Sequence, residues 1–415
     1  MKNLLVILLA VSASLTLQAQ SYDILLDNGR VIDAKNGRDS LMDVAIKDGK
    51  IAKVAETISP NEATRVINVQ GLLVVPGLID IHSHNFHGTE ADAYLSNSFT
   101  ALPPDGFSFR VGVTTLVDAG GAGWRNFETF KQQTIDRSKT RVLSFLNIVG
   151  SGMKGGAAEQ DLNDMDAQKT GEVARQHSEI VGIKVAHYAG SDWDPVDRAV
   201  AAGKIAGVPV MVDFGGTLPP HPLDSLLLYH LRPGDIFTHT FGHVPGRIPI
   251  VDERGKLRPY VVEAQERGIV FDVGHGGGSF LFRQAVPALK QGFRPNTIST
   301  DLHTGSMNAG MKDQLNVMSK FLIMDMPLPE VIAAATWHSA QAIQRADLGH
   351  LDEGAVADVA VLRVLEGDFG YIDSGGYRMD GNRKLECELT LREGQVVWDL
   401  NGISRPYWVT NAAGK

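Results

Sequence analysis

The chain is expected to form a (β/α)₈ barrel, an α/β fold, with a small β-sandwich domain assembled from both chain ends. Three observations lead there. Eight short apolar runs alternate with amphipathic stretches of helical length, the pattern of a parallel sheet built from βαβ units. Short β-type segments punctuated by Gly-containing turns occupy only the two ends. Residues able to do chemistry stand where most of the eight runs stop, as they do at the C-terminal face of a barrel enzyme.

The first element is a leader. Met1-Lys2-Asn3 precedes an apolar run over residues 4–11 and a small, polar stretch over residues 12–19, the three regions of a secretory signal. A run that short does not span a bilayer, which needs about 20 apolar residues. Cleavage near Ala19 would release an exported protein, periplasmic or secreted, without a membrane span. The segments 22–26, 30–33, 43–47 and 51–54 follow as strands, with hairpin turns expected at Asn28-Gly29 and Asp48-Gly49. The texture returns at 358–362, 386–391 and 395–398. Residues 20–72 and 350–415 are therefore assigned to the sandwich and residues 73–349 to the barrel.

Within the barrel the runs are 78–81, 114–117, 142–148, 181–185, 208–212, 236–238, 269–273 and 297–300. Helices are expected between them at 127–136, 164–177, 196–206, 223–231, 260–267 and 281–291. Eight runs favour a closed barrel over an open doubly wound sheet, which more often has five to seven strands.

Composition narrows the function. A formal charge of −9 disfavours nucleic acid as a partner, and 43% hydrophobic against 21% charged residues describes a chain with a large core. Cys387 is the single cysteine, so a disulfide within the chain and a CxxC site are excluded, and a metal site must use other ligands. The GxSxG and GxxxxGK[ST] motifs are absent. Gly150-Ser151-Gly152-Met153-Lys154-Gly155 fits GxGxxG, but no strand ending in an acid follows at the spacing a dinucleotide requires.

The candidate site comes from the run ends. His82 and His84 follow the first run, Lys184 closes the fourth, Asp213 the fifth, His239 the sixth, His275 follows the seventh and Asp301 the eighth. In an extended strand residues i and i+2 share a face, so His82 and His84 can grip one ion while Ser83 faces away. Lys184 interrupts an apolar strand, where it is either half of an ion pair or an amine that adds CO₂ to become a carboxylate bridging two metals. Nitrogen and oxygen donors of this kind suit Zn²⁺, as one or two ions. His275 lies among glycines that let backbone approach a ligand, which points to the substrate side. Asp118, before Ala119-Gly120-Gly121, is either a helix cap or a site residue. His87, His187, His243 and His303 fall on loops at the same face. His187, Gly276, Ser279 and His303 are taken as the substrate-binding candidates.

These residues in this order resemble the amidohydrolase superfamily, and most of all its dihydroorotase-like deacetylase branch. The matching stretches are Pro76-Gly77 through His84, Gly112-Val113-Thr114-Thr115, Gly182-Ile183-Lys184, Gly234 through His239, Phe271 through Phe280 and Ile298 through Leu302. The resemblance implies that His82 and His84 hold a first metal, carboxylated Lys184 bridges, His239 holds a second metal, and Asp301 is both ligand and proton shuttle. Two positions depart from it. The family's histidine ending strand five is Asp213 here, whose added negative charge would favour Mn²⁺ at the second position. The branch's arginine two residues beyond the lysine is Ala186. The resulting expectation is an exported metal-dependent hydrolase of an amide or ester bond, acting on an N-acyl amino acid or acylated hydroxy acid, with Asp301 and His275 catalytic. The alternatives are a cyclic amidase of the dihydroorotase or hydantoinase kind, or a binding protein on a retired hydrolase scaffold. A small-molecule substrate is the expected partner, and self-association is left open.

Overall fold

The computed structural model describes residues 21–213 and 218–408. The leader lies outside the described residues. Both chain ends enter one eight-stranded sheet formed by β1 (Tyr22–Asp33), β2 (Arg38–Lys47), β3 (Lys50–Ala55), β4 (Ala63–Asn68), β5 (Leu73–Pro76), β13 (Val359–Ile372), β14 (Arg378–Arg392) and β15 (Gln395–Asp399). Its order is β15-β14-β13-β5-β1-β2-β3, with β4 also paired to β1. The seam between the ends is antiparallel, β5 against β13 from Leu73–Leu362 to Pro76–Val359. Leu26, Val31, Val44, Val74, Val361 and Leu389 fill this sheet's own core.

Asp48-Gly49 makes the expected turn, with both residues at positive φ. Asn28-Gly29 does not. Asn28 has φ 65°, but β1 runs through it, and the pairing with β2 merely shifts between Leu26 and Gly29. The reason is local: the Asn28 amide donates to Asp43 Oδ1 at 2.7 Å, so the irregularity is absorbed as a bulge.

The other sheet is parallel: β6 (Leu78–Ser83), β7 (Val113–Gly123), β8 (Arg141–Asn147), β9 (Ile180–Ala186), β10 (Val210–Asp213), β11 (Ile236–Phe237) and β12 (Val270–Phe271) follow one another in chain order. Helices Phe127–Gln133, Ala167–Gln176, Asp194–Ala206, Pro259–Glu266 and Phe282–Lys290 stand in the connections. Ile79, Val117, Phe145, Val181, Met211 and Ile236 pack together across these strands.

The eighth run is not a full strand. It touches both edges of the sheet through single parallel bridges, Asp272–Thr297 and Ser83–Leu302, and so stands in the gap between β12 and β6. Its ladder is irregular, and on the β6 side a side chain takes part of it: the Thr300 amide donates to Asp80 Oδ1 at 3.1 Å rather than to a strand carbonyl. Among the described residues no helix is long and apolar enough to cross a membrane.

Candidate active site

His82 and His84 stand at the end of β6, and their rings turn to the same side. Ser83 turns away, with its Oγ 3.0 Å from Val117 O and 2.6 Å from Asn85 Oδ1. Opposite lies Asp301, whose Oδ1 is 2.9 Å from His84 Nε2 and 3.5 Å from His82 Nε2. One ligand atom from each of these three buried residues falls within 4.8 Å of the others. Burial alone would raise the Asp301 carboxyl, but His82, His84 and His303 hold it well below the usual carboxylate range. It is a carboxylate at neutral pH.

The imidazoles are held from behind. His82 Nδ1 lies 2.9 Å from Thr238 Oγ1, which donates to Asp272 Oδ2 at 2.7 Å. Asp272 also accepts from Thr297 at 2.6 Å and Ser299 at 2.7 Å. This relay gives His82 its Nδ1–H tautomer and leaves Nε2 as an acceptor, between Lys184 Nζ and Asp301. His239 does the same with Gly274 O, turning Nε2 to Asp213 Oδ2 at 3.0 Å. Asp118 accepts three backbone amides, from Asn85 at 2.6 Å, Phe86 at 3.0 Å and Gly121 at 2.6 Å. It anchors the turn after His84 and caps no helix.

Lys184 is fully buried. Its Nζ is 3.4 Å from His82 Nε2 and 3.6 Å from Met211 Sδ. Burial lowers its pKa, against the pull of Asp213, Asp301 and Asp272. Asp213 faces three cationic or potentially cationic groups: His239, Arg247 at 3.4 Å and His187 at 3.7 Å. Burial would raise its carboxyl, but His239, Lys184 and His187 keep it well below the usual range.

The structure thus brings together His82, His84, Lys184, Asp213, His239 and Asp301, with His187 and His303 on the rim. His303 Nε2 is 3.9 Å from Asp301 Oδ2. His187 Nδ1 is 2.9 Å from Glu159 Oε2. Gly276 packs on Asp301: at its φ of 56° an added Cβ would stand 2.5 Å from Oδ2. Ser279 is partly exposed on the same loop. His275 points elsewhere. Its ring is fully buried, stacked on Phe280, with Nδ1 against Gly276 O and Nε2 against Lys320. His187, His239 and Asp301 all have positive φ, between 55° and 56°, a costly conformation for such residues that clusters at functional sites.

Sequence reasoning did not find Asp80, Tyr94, Glu159, Arg247, Asp272 or Lys320. Asp80 and Asp272 carried a signal, as acids inside apolar runs. Tyr94, 6.0 Å from the His187 ring and 6.3 Å from the His303 ring, and Arg247 come from irregular loops that carry no periodicity.

A parallel sheet gathering two histidines and a carboxylate at its C-terminal ends is the arrangement of an α/β-barrel enzyme site. No protein-family model matches the chain. It is 36% identical over 363 residues to a deacetylase from Agrobacterium fabrum, covering 85% of this chain and 86% of that one. It is 34% identical over 357 residues to a deacetylase from Brucella anthropi, covering 84% and 86%. Among solved structures it is similar to an adenine deaminase, with TM-score 0.81, 29% identity and coverage of 91% and 100%. A dihydroorotase structure matches with TM-score 0.76, 33% identity and coverage of 91% and 99%. The chain belongs to the amidohydrolase superfamily, in its dihydroorotase-like deacetylase branch, and is a hydrolase of carbon–nitrogen (non-peptide amide) or ester bonds.

Proposed function

We propose that the chain is an exported, zinc-dependent hydrolase that removes the acyl group from a small N-acyl amino acid or acylated hydroxy acid. The observation that carries this is Asp301 Oδ1, placed within 3.5 Å of both His82 Nε2 and His84 Nε2. Two imidazole nitrogens and one carboxylate oxygen are a donor set that fits Zn²⁺. His84 Nδ1 is buried with no hydrogen-bond partner, so the ring is engaged only through Nε2, on the Asp301 side. His82, His84 and Asp301 would hold one ion. Asp213 and His239, with Lys184 converted by CO₂ to a carbamate and a released proton, would hold a second.

A metal there supplies Lewis acidity and a nucleophilic water at neutral pH. The protein's part is proton handling and placement. Asp301 accepts the proton of the attacking water and returns it to the departing nitrogen or oxygen, so that acyl–X and water become acid and H–X. His303, whose pKa is lowered by burial against Asp301, is neutral and available to bind substrate beside Oδ2. A cleft of about 830 Å³ lined by Tyr94, Lys154, Glu159, Gln160 and His187 opens beside the cluster, a volume that suits a small ligand.

The test is a screen of N-acyl-D- and L-amino acids, acyl esters and cyclic amides with zinc-loaded protein, alongside metal analysis. Acyl release from a linear substrate is expected. A protein that binds no metal and turns over none of them overturns the reading. Likeness to a dihydroorotase supports the second reading, a cyclic amidase, which ring opening without acyl release would select. Export is supported by the leader and is tested by the N-terminal residue of the protein recovered outside the cytoplasm.

A further inference from the structure

Lys320 is a second fully buried lysine, and the proton handling above does not use it. It sits fully buried in the helix Gln314–Ile323, where Asp373 is the anion that acts on it most strongly. Its Nζ is 2.6 Å from Gly310 O, 2.7 Å from His275 Nε2 and 2.8 Å from Ile372 O. An ammonium has three N–H donors, and here each has an acceptor. A buried amine, its pKa pushed down to about 7 by burial against the pull of Asp373, is expensive to keep for packing alone.

Its three acceptors belong to three different pieces of the molecule. His275 carries the contact to the active site. With Nδ1–H on Gly276 O at 2.9 Å and the ring stacked on Phe280 at 4.5 Å, the imidazole presents Nε2 as an acceptor to Lys320. Its backbone amide donates to Ser299 O at 3.3 Å, and that of Gly276 to Thr300 O at 2.9 Å. Gly276 in turn backs Asp301 Oδ2 closely enough to exclude a side chain. Ile372 O ends β13, beside the tip of the β13–β14 hairpin. There Ser374 Oγ accepts from the Phe280 amide at 3.2 Å, and Asp373 Oδ2 from the Phe282 amide at 3.0 Å. The end sheet therefore reaches over and grips the same loop.

We propose that Lys320 is a positioning residue for the hydrolysis, fixing through the His275 ring the loop that backs Asp301 and tying that loop to the β13–β14 hairpin. The rate consequence rests on the hydrolase reading; the coupling between Lys320 and the loop does not.

The experiment uses the full chain loaded with zinc, as wild type, Lys320→Met, His275→Phe and the double variant. Two quantities are read: hydrogen–deuterium exchange of residues 273–282, and kcat and KM on 4-nitrophenyl acetate, a chromogenic acyl ester. Lys320→Met should speed exchange in that loop by about tenfold, while distant barrel strands keep their protection. It should lower kcat by about tenfold with KM within about twofold, and the double variant should be no slower than the slower single one. Unchanged exchange and kcat in Lys320→Met, or effects of the two substitutions that simply add, would overturn the proposal. Ser374→Ala loosens the same grip from the partly exposed tip and gives the same readouts if Lys320→Met does not fold. If the wild type cleaves no ester, the hydrolase reading is in trouble, yet the exchange measurement still decides the role of Lys320.

Discussion

His84 Nε2 and Asp301 Oδ1 stand 2.9 Å apart although 217 positions separate them in the chain. They meet because the segment holding Asp301 lies against the end of β6: the His84 amide donates to Leu302 O at 2.9 Å and the Asp301 amide to His82 O at 2.6 Å. The site is therefore made at the seam where the eighth run meets the first strand. The ladder at this seam is short, a single bridge with these few backbone bonds, and the Thr300–Asp80 contact adds a side chain to it.

Asp301→Asn and His82→Ala should each abolish turnover while the fold survives, because both remove a functional group at the strand ends and leave the apolar core intact. The loss expected for the proton-transfer role alone is about 10²–10⁴ in kcat. Circular dichroism and thermal unfolding run beside the kinetics decide the matter: loss of cooperative unfolding would mean that these groups serve the fold instead.

Asp118→Ala should cost stability as well as activity. Three backbone amides lose a charged acceptor in a fully buried place, and unsatisfied donors of that kind make the cost about 3 kcal/mol or more. Urea unfolding measures it. A change near zero would show that water enters and replaces the carboxylate.

Much of this was legible in the residues, and the misses have physical causes. His82, His84, Lys184, Asp213, His239 and Asp301 were found because a barrel converts the ends of separated apolar runs into neighbours. Arg247 was not, since it arrives from a long irregular connection after β11 and is recognised only by its contacts. His275 was placed at the mouth because its position in sequence follows a strand end; position fixes a Cα and not the direction of a ring, and Phe280 and Lys320 draw this ring inward. The eighth run read as a strand because it continued the series of short apolar runs, yet Asp80 takes an amide that a ladder would have used. The Asn28-Gly29 pair carries turn conformation in a strand that nevertheless continues, because Asp43 on the neighbouring strand accepts the displaced amide.

Lys184→Ala should be inactive and partly recovered by short carboxylic acids added with metal. Its amine is buried beside His82, and burial lowers its pKa, which favours the neutral form that reacts with CO₂. Mass spectrometry of the native protein should show the carbamate, and full activity of Lys184→Ala would end the idea.

His187 gives a pH signature. Burial works against its charged form, but Glu159 and Asp213 raise its pKa to about 9 from 6.5. The charged ring's contribution is then complete below the unfolded value and is lost as pH rises through about 9. Since 40% of the ring is exposed, water screening reduces the contribution to about 1 kcal/mol. Stability should fall by that amount between pH 6.5 and 9, and Glu159→Gln should flatten the fall. Parallel slopes in the two proteins would show that the pair is not coupled.

Asp213 and Arg247 should behave as a unit. Arg247 Nη1 lies 3.4 Å from Asp213 Oδ1, and their side chains are 5% and 9% exposed. The guanidinium also donates to Thr238 O and lies 4.7 Å over the Phe237 ring, so it cannot follow its partner into water. The negative charge of Asp213, read by itself, would make the site more acidic in composition and less suited to a nucleophilic water. Arg247 supplies the opposite charge from behind, on the oxygen not used by His239. Asp213→His would leave this cation buried without its anion, and breaking such a pair from one side costs about 3–5 kcal/mol. Asp213→His with Arg247→Leu removes both charges and should recover about 2 kcal/mol of that loss, as coupled neighbours do. Urea unfolding of the four proteins, repeated with a chelator present, gives the coupling energy with and without metal. A coupling of zero in both conditions would mean that the two side chains are neighbours without being partners, and that the charge of Asp213 is balanced by His239, Lys184 and His187.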